Sequence, residues 1–327
     1  MTKRYITGVD LGGTNIVVGT VRVDGSEIVG FSKRVTPVAE GPDAIIQQIL
    51  EQVRESVATT SAERPDSEVL GIGVGSPGPL DRQTGEVLFT PNLGWRNVPL
   101  RDSVRRAIGL PTTLDNDANC AVLGETWMGA ARGANFVVGL TIGTGIGGGI
   151  VLNGMTYHGV ADVAGEFGHM TIDSTGRRCG CGNYGCLEAY AAAPAIARRA
   201  IESLDTNTPS LLRELVGGNV GLITSETVYQ AAAQGDELAL EVVRDTARFL
   251  GTGIANLVNV LNPEVFVICG GVTAAGDALF VPLREEVRRR AFRPAVESCR
   301  IVAGELTGTA GVYGAVAAFE HQRNTAE

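Results

Sequence analysis

The chain is short of positive charge. Its 327 residues hold 27 Lys and Arg against 36 Asp and Glu, a formal net charge of −9 with a pI near 5.0. Nucleic acids and anionic membranes reward an excess of Lys and Arg, so this balance argues against a general binder of either, a local basic patch aside. Long apolar runs are also missing. No uninterrupted apolar segment of roughly 20 residues occurs, and Met1 to Tyr5 lead straight into a short apolar strand without a long signal-type core. The expectation is therefore a cytoplasmic protein. Low-complexity tracts are absent, and a composition of 44% hydrophobic and 19% charged residues reads as globular. The length suffices for two ordinary domains, each with its own core, and two lobes can enclose a cleft.

Six cysteines are present. Cys179, Cys181 and Cys186 crowd together, while Cys120, Cys269 and Cys299 lie scattered in apolar surroundings. In a reducing compartment that crowding favours a metal over a disulfide.

Along the chain, Tyr5 to Asp10 reads as a strand, Leu11-Gly12-Gly13-Thr14 as a turn, and Ile16 to Val23 as a second strand. Asp24-Gly25 turns into Glu27 to Val35. Pro42 to Val57 places Ile45, Ile46, Ile49, Leu50 and Val53 on one helical face, and Val69 to Gly75 follows as an apolar strand. The order is β-β-β-α-β. Beyond the loop Ser76 to Leu80 come a helix at Leu100 to Ile108, a strand at Thr112 to Leu114 and a helix from Ala118 to Met128. Phe136 to Ile142 and Gly147 to Leu152 repeat the strand, glycine turn, strand opening, which suggests a duplicated unit. Pro194 to Leu261 is mainly helical, Val265 to Cys269 is a buried strand, and Gly308 to His321 is a closing helix. Leu250 to Leu261 carries more apolar residues than one buried face needs, from which a subunit interface is expected.

Asp10-Leu11-Gly12-Gly13-Thr14-Asn15 is the first motif with chemistry in it. Paired glycines in a hairpin leave backbone N–H groups open to phosphate oxygens, Thr14 adds a hydroxyl, and Asp10 at the strand end can hold Mg²⁺ through water. Taken alone it is as well read as a plain turn. A second turn, Gly143-Thr144-Gly145-Ile146-Gly147, alters the balance, because two such turns can grip one phosphate chain. Asp115-Asn116-Asp117-Ala118-Asn119 sits at a strand end and a helix start. Asn116 or Asp117 suits an N-cap, and Asp117 also suits the role of proton acceptor for a sugar hydroxyl; local sequence leaves both open. The most specific signal is Gly165-Glu166-Phe167-Gly168-His169 followed by Cys179-Gly180-Cys181 and, after four intervening residues, Cys186-Leu187-Glu188. Three thiolates and an imidazole close a tetrahedral Zn²⁺ site, and a closed site organises a loop rather than activating water. Glu166 and Glu188 beside it can accept hydrogen bonds from sugar hydroxyls, and His169 can offer one ring nitrogen to zinc and the other to the sugar. Ser76-Pro77-Gly78-Pro79 lies at a strand C-terminal end, where open α/β folds bind ligands. Cys269-Gly270-Gly271 lets a nucleoside approach the backbone.

Together these motifs resemble the ROK family of repressors, open reading frames and kinases, from Asp10 to Gly308-Thr309-Ala310-Gly311. The resemblance implies the two-lobed actin-like ATPase fold, an α/β, ribonuclease H-like architecture with a ligand cleft between lobes. A small N-terminal lobe would span 1–116, joined by the helix at 308–321, and a larger lobe 117–307. It implies Asp117 as catalytic base; Gly78, Asn116, Asp117, Glu166, His169 and Glu188 around the sugar; and zinc on His169, Cys179, Cys181 and Cys186. ATP phosphates would lie on Gly12, Gly13, Thr14, Thr144 and Gly145, and the nucleoside near Gly270 and Gly271. Pro91-Asn92-Leu93-Gly94-Trp95 and Gly124-Glu125-Thr126-Trp127 are similar to the bacterial glucokinases of this family, which implies glucose as acceptor, ATP with Mg²⁺ as donor, and a homodimer or homotetramer. Rivals are another hexose kinase of the family, acting on N-acetylmannosamine, N-acetylglucosamine, mannose or fructose, and a sugar-responsive repressor. The repressors carry an N-terminal helix-turn-helix, for which no room is expected ahead of Asp10. An actin-like or chaperone ATPase would have no use for the sugar and zinc residues.

Overall fold

The computed structural model describes residues 2–204 and 208–326; positions 205–207, inside the expected helical stretch, lie outside it. The chain divides into two compact units. The first holds Met1–Val138, Gly149–Gly165 and Gly304–Glu327, the second Gly139–Gly148 and Glu166–Ala303.

Strands β1 (Lys3–Leu11), β2 (Asn15–Arg22) and β3 (Ile28–Val35) form an antiparallel meander, and helix α1 (Pro42–Glu63) leads to β4 (Ser67–Ser76). Three short strands follow, β5 (Leu80–Asp81), β6 (Glu86–Thr90) and β7 (Trp95–Val98), then α2 (Leu100–Ile108), β8 (Thr112–Asn116) and α3 (Asp117–Trp127). The main sheet runs β3-β2-β1-β4-β8, with β4 and β8 added in parallel. β1 is covered on both faces, which is why its middle reads as a nearly continuous apolar run. Ile45, Ile49 and Val53 of α1 join Val9, Leu11 and Ile72 in one core.

Helix α1 outruns the apolar pattern that ended at Val57. The inward face of its last turns is polar and buried at Ser56 and Thr60: Ser56 Oγ lies 2.8 Å from Thr20 Oγ1, and Thr60 Oγ1 donates to the Ser56 carbonyl at 2.8 Å. Periodicity of apolar residues cannot register a helix buried through hydroxyls. The β5-β6-β7 sheet was missed because strands of 2 to 5 residues are too short to alternate visibly.

A second sheet runs β11-β10-β9-β12-β13, where β9 is Phe136–Ile142, β10 Ile146–Leu152, β11 Met155–Thr156, β12 Val265–Cys269 and β13 Arg300–Ala303. Counted within each sheet, both follow the order 3-2-1-4-5, as a duplicated unit would. Between β11 and β13 lie α4 (Glu188–Ala191), α5 (Ala193–Ser203), α6 (Leu211–Leu215), α7 (Ser225–Ala233), α8 (Glu237–Leu261), α9 (Asp277–Arg290) and α10 (Arg293–Ser298). In α8, Leu250, Ile254, Leu257 and Val258 are buried, and Val260 stands exposed.

The closing helix α11 (Ala310–Ala326) packs back on the first unit, with Val312, Val316 and Phe319 against Ile6, Val17 and Val21. It comes close because several facing positions carry no side chain. A Cβ on Gly73 would lie 1.9 Å from the Ala315 carbonyl oxygen, and one on Gly314 would lie 1.6 Å from that of Cys120. The buried Glu125 carboxylate of α3 fixes the approach to α11 by accepting the amides of Glu305 at 3.0 Å and Leu306 at 2.8 Å. No helix among the described residues is long and apolar enough to cross a membrane.

Candidate functional site

Residues singled out by sequence gather in two clusters, one on each unit. On the first unit the strand register does the gathering. Asp10 of β1 stands opposite Gly75 of β4, Gly75 opposite Asp115 of β8, and Ser76 opposite Asn116. The C-terminal ends of three neighbouring strands therefore present Asp10, the Ser76-Pro77-Gly78 loop and Asn116-Asp117 along one edge.

The two readings of Asn116-Asp117 separate here. Asn116 is the N-cap of α3, its Oδ1 accepting the amides of Ala118 at 2.9 Å and Asn119 at 3.1 Å. Asp117 is the first helical residue, and its Oδ1 accepts the Ala118 amide at 2.8 Å. Capping is thus assigned to the neighbour. α11 also starts against this edge, since a Cβ on Gly311 would lie 2.3 Å from Asp10 Cγ. Two helix N-termini face the carboxylates, an arrangement that favours negative charge.

That favour does not cancel the crowding. Part of Asp10 remains accessible, yet burial first and the Asp117 carboxylate second push it up to about 7. Cys120 in α3 is also raised, by burial and by the charges of Asp115, Asp10 and Asp117. Beside them the first glycine hairpin is clamped from outside: Thr36 donates its hydroxyl to the Gly12 carbonyl at 2.7 Å and its amide to that of Thr14 at 2.9 Å. Gly13 and Thr14 are left exposed, and Asn92 sits against Gly13, where an added Cβ would meet Asn92 Cβ at 3.6 Å. Gly78 has φ +88, and its neighbours are Phe89 and Thr90 of β6. Thr36 and the β6 contacts had no signal in the sequence, being isolated residues far along the chain.

On the second unit Glu188, at the start of α4, joins two motifs. Its Oε2 accepts the Ile146 amide at 2.9 Å, and its Oε1 accepts the Cys179 thiol at 3.6 Å. The glycine turn Gly143-Thr144-Gly145 is thereby fastened to the cysteine loop, and the Ala193 amide holds the Gly143 carbonyl at 2.9 Å. A Cβ on Gly143 or Gly271 would meet no atom within 4 Å, so both backbones are open to close approach. Gly270, by contrast, has φ +97 and packs tightly on Ile142 of β9.

His169, Cys179, Cys181 and Cys186 bring their ligand atoms within 4.8 Å of one another. Cys181 and Cys186 sulfurs are 3.7 Å apart, and Cys179 Sγ is 3.8 Å from His169 Nδ1. Four donors around a tetrahedral zinc stand roughly 3.3–3.8 Å apart, so the residues fit that ion. Burial pushes the Cys179 thiol up to about 12, and binding a metal would displace that proton. His169 Nε2 points the other way, 3.9 Å from Glu166 Oε2. Glu166 is itself raised, by burial first and by Glu188, with His169 opposing.

The model of the ROK family matches residues 6–322. The chain belongs to the ROK family. The glucokinase of Halalkalibacterium halodurans is 39% identical over 328 residues, covering 100% of this chain and 98% of that one. The glucokinase of Thermotoga maritima is 39% identical, covering 98% of this ROK chain and 99% of its own. The crystal structure of a ROK family glucokinase from Streptomyces griseus, in complex with glucose and AMPPNP, superimposes with a TM-score of 0.83 at 36% identity, over 95% of this chain and 98% of that one. The fold of this ROK protein is accordingly the two-lobed actin-like ATPase fold.

Two outcomes are expected. Elemental analysis finds close to one zinc per chain, and Cys186→Ser loses the metal and melts at lower temperature; a metal-free chain of equal heat stability contradicts the fit. Between about pH 4 and pH 7 Asp10 of the folded chain holds a proton that the unfolded chain has released, so this contribution to stability is full below about 4 and lost as pH rises through 7. In buffer free of divalent metal and nucleotide, Asp10→Asn should gain stability relative to the parent between pH 5 and pH 8 in denaturant titrations. A difference that does not change with pH would contradict it.

Proposed function

We propose that this chain transfers the γ-phosphoryl group of ATP to the 6-hydroxyl of D-glucose, giving ADP and glucose 6-phosphate. Glucokinases of 39% identity over essentially the whole chain support the reaction. On the chain's own residues, one observation carries the reading: Asn116 caps α3, so the Asp117 carboxylate beside it is not required as the cap.

In this reading Asp117 accepts the proton of the 6-hydroxyl. A carboxylate at a helix N-terminus is a weak base, and a largely dissociative transfer asks for positioning and late proton removal more than for basicity. Asn116 and Gly78 hold the sugar on the first unit; Glu166, His169 and Glu188 bind its hydroxyls on the second. Glu166 and Glu188 carry oxygens suited to accept from those hydroxyls, and His169 Nε2 is directed away from the thiols. Gly12, Gly13 and Thr14, with Thr144 and Gly145, offer amides and hydroxyls to the phosphates, and Gly270 and Gly271 lie near the nucleoside.

Asp10 would hold Mg²⁺ through water, which suits a crowded carboxylate that gains from a nearby cation and a metal that keeps its water shell. When bound, Mg²⁺ neutralises charge on the phosphates. Zinc on His169, Cys179, Cys181 and Cys186 would have no open position, so these residues serve to order the loop that carries Glu166 and Glu188. A homodimer or homotetramer is the assembly we expect by family resemblance.

Asp117→Asn tests the role. It keeps the shape and leaves the Asn116 cap untouched, so the melting temperature should barely move while glucose turnover falls by a factor on the order of 10² or more. Near-normal turnover in the folded variant would remove Asp117 from the mechanism.

A further inference from the structure

We propose that His158 is a positioning residue for phosphoryl transfer, acting through Asp115 on the strand end that carries Asn116 and Asp117. The proposal rests on the kinase reading above and deepens it. His158 Nε2 lies 2.9 Å from Asp115 Oδ2 and 3.1 Å from Oδ1. Both side chains are withdrawn from water, at 13% and 4% exposure. Asp115 Oδ1 also accepts the backbone amide of Asn116 at 2.8 Å. One carboxylate thus links the imidazole to the residue that caps α3, and Asp117 is the next residue along.

The ring is itself held in place by its loop. The Ala164 amide donates to the His158 carbonyl at 3.1 Å, closing the loop on itself. Farther along, Arg82 Nε donates to Asp162 Oδ1 at 3.0 Å, and Asp162 takes the left-handed backbone at φ +54. Val160 at the tip is fully exposed, so these polar ties rather than a core keep the loop in register. The imidazole therefore reaches Asp115 from a fixed base.

Asp115 needs such a partner because it stands in the register row of Asp10 and two residues before Asp117. A buried carboxylate acts as acceptor only, so Nε2 carries the proton that meets it. With that donor in place the carboxylate is held on the side of His158 and the Asn116 amide. Without it, a buried charge short of a partner would pull on that amide or swing toward its neighbours, and the helix start would shift. Where catalysis is mainly positioning, a displacement of about 1 Å costs on the order of 10² in rate.

The test compares two amide substitutions that differ in where the donor sits. His158→Gln sets its N–H near the place of Nε2; His158→Asn falls short of Asp115. Kinetics are measured with glucose and ATP, each rate taken per folded molecule. His158→Asn should lower kcat about tenfold or more with the KM for ATP within about threefold, and His158→Gln should recover most of the loss. A purely structural pair predicts a lower melting temperature with kcat within about twofold of the parent in both variants, and that result overturns the proposal. Equal losses in the two variants overturn it as well, since the donor would then be irrelevant. Should His158→Asn fail to fold, His158→Phe fills the space without a donor and takes its place, with the same readings. A parent chain that phosphorylates no hexose sinks the kinase reading instead.

Discussion

Crowding of carboxylates at one sheet edge is the constraint around which the first unit is arranged. Register puts Asp10, Gly75 and Asp115 in a row, and Asp117 follows at the helix start. Burial first, and the like charge of Asp117 second, resist ionisation here, and Asp10 shows it. The surrounding features read as answers to that charge. Asn116 supplies a neutral cap, the N-termini of α3 and α11 face the edge, and His158 meets Asp115. Glycines at 73 and 314 matter because they let α11 lie close enough to bring its N-terminus to Asp10. In the proposed reading, where the edge gathers a metal ion and phosphates, a cation would relieve the crowding of these carboxylates.

The second unit solves a different problem, that of fixing loops with little core of their own. Cys179, Cys186, Ala189 and Tyr190 form only a small buried cluster, and the tie between loop and sheet is polar. Glu188 supplies it by holding the Ile146 amide with one oxygen and facing Cys179 with the other. A zinc ion bound by His169 and the three cysteines would add covalent-strength links where hydrophobic area is scarce. Glu188, which faces substrate in the proposed mechanism, thus also ties the loop to the sheet.

Much of this was legible in sequence because the signals were local. Strands β1, β9 and β12, helix α2 and the two glycine turns follow from runs of adjacent residues, and His169 with the three cysteines declares a ligand set by spacing. What stayed hidden depends on contacts between distant positions or on backbone angles. Asn116 and Asp117 are equally good caps on paper, and only the helix start tells which one turns inward. His158 is a lone histidine in a loop, 43 positions from its partner. Thr36, which clamps the first hairpin, is one threonine among many. The polar end of α1 is invisible to any reading of apolar periodicity.

Whether Asp117 and its surroundings serve transfer from ATP to glucose is tested most directly by a coupled ADP-release assay of the parent chain. Glucose, mannose, fructose, N-acetylglucosamine and N-acetylmannosamine are offered in turn with ATP as donor; transfer from polyphosphate, which yields no ADP, is followed as sugar phosphate formed. ADP release with glucose is expected at a kcat/KM at least about tenfold above the other sugars. No release with any hexose, or a clear preference for one of the N-acetylated sugars, would contradict it.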